Sequence, residues 1–264
     1  MNNKRAFVCH GGLGDIYIEL LKIKNLELTS CDIYYRDIAV THLEDIQTLC
    51  ESQPEVKKFD ALQIEQTDEY LNSLKKELES KYDKVSILSS TLTNISNTKE
   101  LQLPDWTNLY GAEYVAINTG AGDFAMAPTS NHNMNRRWVK EALESLIEGL
   151  VTKTNLKVIL IGKPETSNSF NHTQAYNESE KNIIEQINII KHAKLNIGFE
   201  GFNLAAAMSF NKKMIVKNNP PNHDFKEKKV RYLDDEAYAN MIVLDNWAPR
   251  EFLPTIIKLR NNQL

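Results

Sequence analysis

NIIKHAKLNIGFEGFNLAAAMSFNKKMIV, residues 188–216, is the stretch that decides the fold. Its pattern predicts a helix end, a strand, a tight turn, a second helix and a second strand. A strand running directly into a helix presents free N–H groups and the positive end of the helix dipole at the sheet edge. Such an edge suits a phosphate-bearing ligand, although any buried parallel βαβ unit has the same appearance. The strands are residues 195–199 and 214–216, the helix is 202–208, and the turn is Glu200 with Gly201.

The N-terminal segment has a related pattern. An apolar run, Arg5–His10, is followed by Gly11-Gly12-Leu13-Gly14-Asp15 and by helical spacing over residues 16–23, which predicts strand, glycine-rich loop and helix. The spacing is not GxGxxG, so the loop carries no dinucleotide fingerprint. Asp15 is either a helix-start residue favoured by the dipole or a functional carboxylate. His10 is either a strand-end histidine with one hydrogen bond or a base.

Extended and helical patterns alternate along the rest of the chain, which is typical of parallel sheets with helices on their faces. The patterns include a short strand at 56–59 and an amphipathic helix over 177–191. Residues 103–106, followed by Gly111, are the predicted linker. The sequence therefore predicts an α/β protein with two Rossmann-like domains, a reduced one at 1–105 and a larger one at 113–264.

Three loops of the second half follow predicted strands or precede a helix. The strand Tyr114–Asn118 ends in Thr119 and further small residues, and the strand 157–161 ends in Gly162-Lys163. Arg136-Arg137-Trp138 stands before a predicted helix. The arginines either form exposed ion pairs or bind an anionic ligand. Lys163 is either a solvated turn residue or a nucleotide contact.

These stretches resemble the glycosyltransferase family 9 group, the bacterial heptosyltransferases and their relatives. Leu13-Gly14-Asp15-Ile16 reproduces the family's L-G-D-[IV], and Arg136-Arg137-Trp138 is similar to [KR]-x-W-P with Val139 in place of proline. Gly162-Lys163-Pro164-Glu165 matches its G-x-x-E turn. Residues 196–207 are similar to V-x-x-D-T-G-x-x-H-L-A-A-A, with Phe-Glu-Gly replacing Asp-Thr-Gly and Asn203 replacing histidine.

The resemblance implies a GT-B arrangement and the inverting transfer of a sugar from a nucleotide-diphosphate sugar to a hydroxyl, with no cofactor and no metal. It implies Asp15 as the base, with His10 as its rival. The donor nucleotide sugar would lie in the interdomain cleft, mainly against the second domain. The residues expected to bind it are Gly12, Gly14, Thr119, Arg136 or Arg137, Lys163, Glu200 (at the ribose or base), Gly201 and Asn203.

The composition argues against several classes of protein. The 264 residues are 42% hydrophobic and 25% charged, as in ordinary globular proteins, and the net charge of -4 argues against a dedicated nucleic-acid binder. No apolar stretch reaches the length of a membrane span. Three scattered cysteines form neither a disulfide framework nor a metal spacing, and the six histidines are dispersed. We therefore expect a cytoplasmic protein without a metal site.

The sequence leaves two other functions open. The replaced Asp-Thr-Gly and histidine favour a non-catalytic GT-B-like protein that binds a nucleotide or a glycan. A GT-B epimerase acting on a nucleotide sugar is the third reading. The acceptor of a transferase could be a lipid-linked glycan, a protein, a small molecule or a modified nucleobase.

Overall fold

Two separate parallel sheets form the framework of the chain. One compact unit comprises Met1–Asp105 with Arg231–Asp234, and the other comprises Trp106–Val230 with Asp235–Leu264. The computed structural model describes residues 4–37, 43–63, 68–88, 100–104, 110–111, 113–120, 138, 140–162, 175–199, 201–217, 240–244 and 249–260.

The first unit has a four-stranded sheet in the order β3-β2-β1-β4, with all strands parallel. One face packs on α3, where Ala6, Val8 and Tyr34 meet Leu74 and Leu78. Its strands are β1 (Arg5–His10), β2 (Cys31–Asp37), β3 (Val56–Gln63) and β4 (Lys84–Ile87). Its helices are α1 (Leu13–Asn25), α2 (Leu43–Glu51) and α3 (Asp68–Glu79).

The second unit has a six-stranded parallel sheet in the order β10-β9-β8-β5-β6-β7. Its strands are β5 (Tyr114–Asn118), β6 (Lys157–Ile161), β7 (Ala175–Asn177), β8 (Leu195–Phe199), β9 (Met214–Lys217) and β10 (Met241–Leu244). Its helices are α4 (Lys140–Thr154), α5 (Ile183–His192), α6 (Phe202–Ser209) and α7 (Pro249–Arg260).

Helices cover both faces of this second sheet. Leucine and isoleucine side chains of α4, together with Ile256 of α7, pack on Val115, Ile117 and Leu160. On the other face, Tyr114 donates a hydrogen bond to the Ile189 carbonyl of α5 at 2.7 Å. A parallel sheet covered on both faces presents its strand ends as the accessible edge, which is where ligands bind in such folds.

The predicted α/β architecture with parallel sheets is confirmed, but two element boundaries are wrong. The helix predicted over residues 177–191 begins only at Ile183, because Asn182 and Glu185 form a capping box with hydrogen bonds of 3.0 and 3.1 Å. The preceding Ala175–Asn177 pairs with β6 as the edge strand β7. The strand predicted at 56–59 extends to Gln63, because it pairs with β2 along its whole length.

Candidate functional site

Small and amide side chains line the carboxyl ends of three neighbouring strands in the second unit, in the order β8-β5-β6. A Cβ atom added to Gly162 would lie 3.1 Å from Thr119 Oγ1, and one added to Gly198 would lie 3.0 Å from Asn118 Cβ. The Asn118 side chain also accepts a hydrogen bond from the Gly120 N–H at 2.9 Å. These residues therefore form one continuous edge.

Asn203, the second residue of α6, lies directly against this edge. A Cβ on Gly198 would lie 2.5 Å from Asn203 Nδ2, so only glycine permits this close approach. Asn203 is 2% exposed, and neither atom of its carboxamide has a hydrogen-bond partner among the described residues. A buried amide without partners costs free energy, and such a group at a ligand-binding edge indicates that a ligand supplies the missing bonds.

Trp138 connects the start of α4 to the same edge. Its indole Nε1 donates a hydrogen bond to the Asn118 carbonyl at 2.8 Å, and its ring packs edge-on against Phe199 with centroids 5.9 Å apart. The tryptophan of the Arg-Arg-Trp segment is thus fixed at the end of β5. Arg136 and Arg137 themselves lie outside the described residues, as do Lys163 and Glu200.

Thr119 is at the predicted edge, but its hydroxyl is turned toward the sheet. Thr119 is 1% exposed, and its Oγ1 donates to the Ile161 carbonyl at 3.1 Å. The Thr119 N–H bonds the same carbonyl at 2.9 Å. The hydroxyl proton is therefore already engaged with the protein. Gly201 precedes α6 and serves as its N-cap residue.

The glycine-rich loop of the first unit is held in one conformation. Gly11 has φ +102°, a conformation that L side chains rarely adopt, and a Cβ there would lie 2.6 Å from Asp15 Oδ2. The Tyr35 hydroxyl donates to the Gly11 carbonyl at 2.7 Å. Asp15 lies in the first turn of α1, where its Oδ2 accepts the Gly12 N–H at 2.8 Å. Gly14 stands beside it in that turn.

His10 ends β1, in register with Arg36 of β2. In the described part of the chain its imidazole makes no hydrogen bond, either to Asp15 or to another side chain. His10 and Asp15 therefore do not form a hydrogen-bonded acid–base pair.

Glu19 lies one helical turn after Asp15 and is fully buried. Neither of its carboxyl oxygens makes a hydrogen bond of normal geometry to another described residue. Burial raises the pKa of Glu19 to about 8; the Cys9 thiol lowers it by hydrogen bonding, and the Asp15 charge raises it. The effect of burial on the pKa of Glu19 is larger than that of the Cys9 thiol. The raised pKa of Glu19 favours the neutral carboxylic acid at pH 7.

The three cysteines are free and buried. Burial raises the pKa of Cys9 and Cys50 and raises that of Cys31 to about 12, which keeps all three thiols protonated and poorly nucleophilic. Among the residues that the structure describes, no group of three or more His, Cys, Asp or Glu could hold a metal ion. Within the same residues, no helix has the length and apolar character needed to cross a bilayer.

No protein-family model and no curated protein matches this sequence. Solved structures do match it over nearly its whole length. The ADP-heptose LPS heptosyltransferase II of E. coli is 12% identical, with 98% of this chain and 99% of that chain covered and a TM-score of 0.62. A family 9 glycosyl transferase from Veillonella parvula is 11% identical, with 99% and 97% covered and a TM-score of 0.62.

The fold is GT-B-like. The predicted resemblance to the family 9 group is thus confirmed for the fold. A third similar structure is described as a "putative UDP-N-acetylglucosamine 2-epimerase" from Listeria monocytogenes. It is 9% identical, with 100% of this chain and 89% of that chain covered and a TM-score of 0.60. A GT-B-like fold is therefore shared by proteins with different chemistry, and the activity has to be argued from the site.

Sequence reasoning missed four residues of these two edges. Asn118 and Gly198 read only as parts of strands, although a glycine inside a strand signals a close approach. Glu19 and Arg36 are charged residues within otherwise apolar or aromatic runs, IYIELL and IYYR. A charged residue inside an apolar run was the signal that could have identified them. Charged side chains are rarely buried without a partner, so such a residue indicates a special role.

Proposed function

We propose that this protein is a glycosyltransferase that moves a sugar from a nucleotide-diphosphate sugar to an acceptor hydroxyl. The observation that carries the proposal is the unpaired carboxamide of Asn203 beside Gly198, at the edge where β8 leads into α6. The amide offers one donor and one acceptor group, which a sugar hydroxyl or a nucleobase edge could satisfy together. The GT-B-like fold supports a nucleotide-sugar ligand at this edge.

The donor diphosphate needs positive charge as well as N–H groups. The N-terminus of α6 supplies N–H groups and the positive end of a dipole. We assign the cationic role to Arg136, with Arg137 as the alternative, because both precede Trp138, which is bonded to the edge at Asn118. Lys163 is a further phosphate contact in this proposal, and Glu200 accepts from the ribose hydroxyls or contacts the base. Thr119 would donate to a phosphate only after its hydroxyl leaves the Ile161 carbonyl.

The proposed reaction is a single displacement with inversion. Asp15 accepts the proton of the acceptor hydroxyl, the oxygen forms a bond to the anomeric carbon, and the bond to the nucleotide diphosphate breaks. A carboxylate is adequate as a base because the hydroxyl becomes acidic as the new bond forms. The departing diphosphate is stabilised by cationic side chains and N–H groups in the role that a metal has elsewhere.

Replacing Asn203 by alanine is expected to weaken nucleotide binding roughly tenfold, because the ligand loses one or two neutral hydrogen bonds of about 1 kcal/mol each. The stability of the unliganded protein should hardly fall, since the amide has no partner among the described residues. Asn188→Ala is the matched control, because this buried amide bonds the Ile184 carbonyl at 3.0 Å. The control should lower stability and leave binding unchanged; calorimetry and urea unfolding measure both. Equal nucleotide affinity in Asn203→Ala and wild type would contradict the site.

Arg136→Ala is expected to weaken nucleoside diphosphate binding by about 1.5–3 kcal/mol, the scale of a hydrogen bond to a charged group. Arg137→Ala is the paired variant, and the larger loss identifies the phosphate contact. If both variants bind the diphosphate as tightly as wild type, neither arginine contacts it.

We expect the transferase activity to need no metal. Initial rates with and without excess EDTA should agree within error, and added Mn²⁺ or Mg²⁺ should not raise them. Loss of activity in EDTA that manganese restores would show that the charge of the leaving diphosphate is neutralised by a metal after all.

Two other functions are testable in the same assay. The similar epimerase structure favours conversion of the nucleotide sugar itself, and the Phe-Glu-Gly substitution favours binding without chemistry. Incubation with radiolabelled nucleotide sugars and candidate acceptors separates the three. Free nucleotide diphosphate with a labelled acceptor supports transfer, an epimeric nucleotide sugar supports epimerisation, and an unchanged bound nucleotide sugar supports a binding protein.

A further inference from the structure

A ladder of polar side chains crosses the α3 face of the first sheet. Alternate residues of a strand share one face, so Asp32, Tyr34 and Arg36 of β2 point to the same side. Their register partners on β3 are Lys58, Asp60 and Leu62. The ladder runs from the amino edge of the sheet to its carboxyl edge.

The first two cross-strand pairs of this ladder, Asp32 with Lys58 and Tyr34 with Asp60, all have hydrogen-bond partners. The Tyr82 hydroxyl donates to Asp32 Oδ2 at 2.5 Å and lies 2.8 Å from the Tyr34 hydroxyl. Lys58 donates to Asp60 Oδ2 at 2.8 Å. The two carboxylates of the ladder, Asp32 and Asp60, are thus already bonded to Tyr82 and Lys58.

The last cross-strand pair, Arg36 with Leu62, and the neighbouring His10 of β1 include no carboxylate. Arg36 is 7% exposed, and its buried Nε has no hydrogen-bond partner there. Leu62, its neighbour on β3, is apolar, and His10, its neighbour on β1, is half-buried. Within the described part of the chain, the Arg36 Nε is thus a buried donor without an acceptor.

An uncompensated guanidinium in this position is costly, because a buried charge is stable only when it is paired. Parallel sheets bind ligands at the carboxyl edge, and His10 directly precedes the glycine-rich loop there. The planar guanidinium fork matches the two oxygens of a phosphate or a carboxylate. An oxyanion is therefore the ligand chemistry that the Arg36 guanidinium suits best.

We propose that His10 and Arg36 form an oxyanion-binding site at the carboxyl edge of the first sheet, which takes a phosphate or carboxylate group. The site belongs to the first unit, and the inference does not depend on the proposed transferase activity. It gives His10 a ligand-binding role in place of that of a rival base.

Thermal unfolding of the full chain tests the site, with sodium phosphate or sodium malonate added against NaCl at equal ionic strength. Wild type should gain in Tm with at least one of the two anions. A phosphate-only response identifies a phosphate ligand, and a malonate-only response identifies a carboxylate. No gain over NaCl with either anion would overturn the proposal.

Arg36→Met should abolish the anion response and raise the Tm in anion-free buffer, because an apolar side chain replaces an unpaired charge. A purely structural arginine would instead lower that Tm. Arg36→Lys keeps the charge without the fork and should need at least tenfold more anion for the same shift, which provides a second reading if the Met variant folds poorly. His10→Gln should weaken the response less than Arg36→Met does.

Lys58→Met is the matched control from the same face, because Lys58 is already paired with Asp60. It should keep the full anion response. ADP and UDP form a separate arm: a nucleotide response that survives in Arg36→Met belongs to the second unit. An anion response in both Arg36 variants that equals the wild-type response at the same anion concentrations would refute the site, whatever the nucleotides do.

Discussion

Asp15→Asn is expected to lower the turnover of sugar transfer by a factor on the order of 10²–10⁴, the usual contribution of a general base. Asparagine keeps the size of the side chain and an oxygen that can accept the Gly12 N–H, which Asp15 Oδ2 now does at 2.8 Å. It cannot accept the proton of the acceptor hydroxyl. The variant should fold normally and bind the nucleotide sugar as wild type does, as measured by steady-state kinetics and calorimetry.

The capping box of α5 provides the control for a loss of helix capping. Glu185 occupies the same position in α5 as Asp15 does in α1, and its carboxylate accepts the Asn182 N–H at 3.1 Å. Glu185→Gln should change stability about as much as Asp15→Asn, within roughly 1 kcal/mol, and should leave the turnover unaffected. Equal losses of turnover in both variants would attribute the Asp15 effect to folding.

His10→Gln tests the rival base. It should cost much less turnover than Asp15→Asn, because the described residues show no hydrogen bond from the imidazole to Asp15. If His10→Gln is inactive and Asp15→Asn remains active, His10 is the base and Asp15 is not.

Glu19 is expected to make the protein less stable as the pH rises from about 4.5 to about 8. Burial raises its pKa from 4.5, the ordinary value of a solvated glutamate, to about 8. In this window the unfolded chain releases a proton that the folded chain retains, so the contribution of Glu19 is fully present below pH 4.5 and is lost as the pH rises through 8. Each pH unit corresponds to about 1.36 kcal/mol, and the window to roughly 5 kcal/mol.

Glu19→Gln should therefore flatten the decline of stability with pH, since glutamine does not titrate. Urea unfolding at several pH values between about 5 and 8.5 measures the free energy of unfolding of both proteins. The advantage of the variant should grow with pH. Parallel curves for the two proteins would contradict a neutral, buried Glu19.

Glu55→Gln is the matched control for the loss of a buried glutamate. Its carboxylate is nearly as buried but is bonded to Lys24 at 3.1 Å. This variant should be less stable than wild type at neutral pH, because Lys24 loses its partner. Comparing the stabilities of Glu19→Gln and Glu55→Gln therefore separates the loss of a buried glutamate without an ion-pair partner from the loss of one with such a partner.

The parts of the fold that could be predicted from the sequence are those fixed by local pattern. The β8-turn-α6 stretch and the β1-loop-α1 stretch follow from apolar periodicity, glycine placement and capping, and the parallel sheets follow from their alternation. The register that places Gly162, Asn118 and Gly198 along one edge depends on strand order, which no local pattern contains. The start of α5 was missed because apolar spacing outweighed the Asn182 capping signal.

The buried charged residues of the first unit were the least predictable part of the structure. Glu19 and Arg36 are buried by contacts between elements, and their lack of partners among the described residues depends on which carboxylates and donors their neighbours have already engaged. Single-sequence reasoning assigns such residues to the surface by default. Asn203 was identified as a site residue only through the family resemblance, and the proximity of Gly198 gives it a physical basis.

A thermal-shift titration with ADP-, UDP-, GDP- and dTDP-sugars and the corresponding diphosphates tests the central claim most directly. The account predicts that one nucleotide series raises the Tm in a concentration-dependent, saturable manner without added metal, following RT ln(1 + [L]/Kd). It also predicts that Asn203→Ala and Arg136→Ala weaken this response while Asn188→Ala keeps it. Failure of every nucleotide and nucleotide sugar to stabilise the wild-type protein at millimolar concentration would contradict the account.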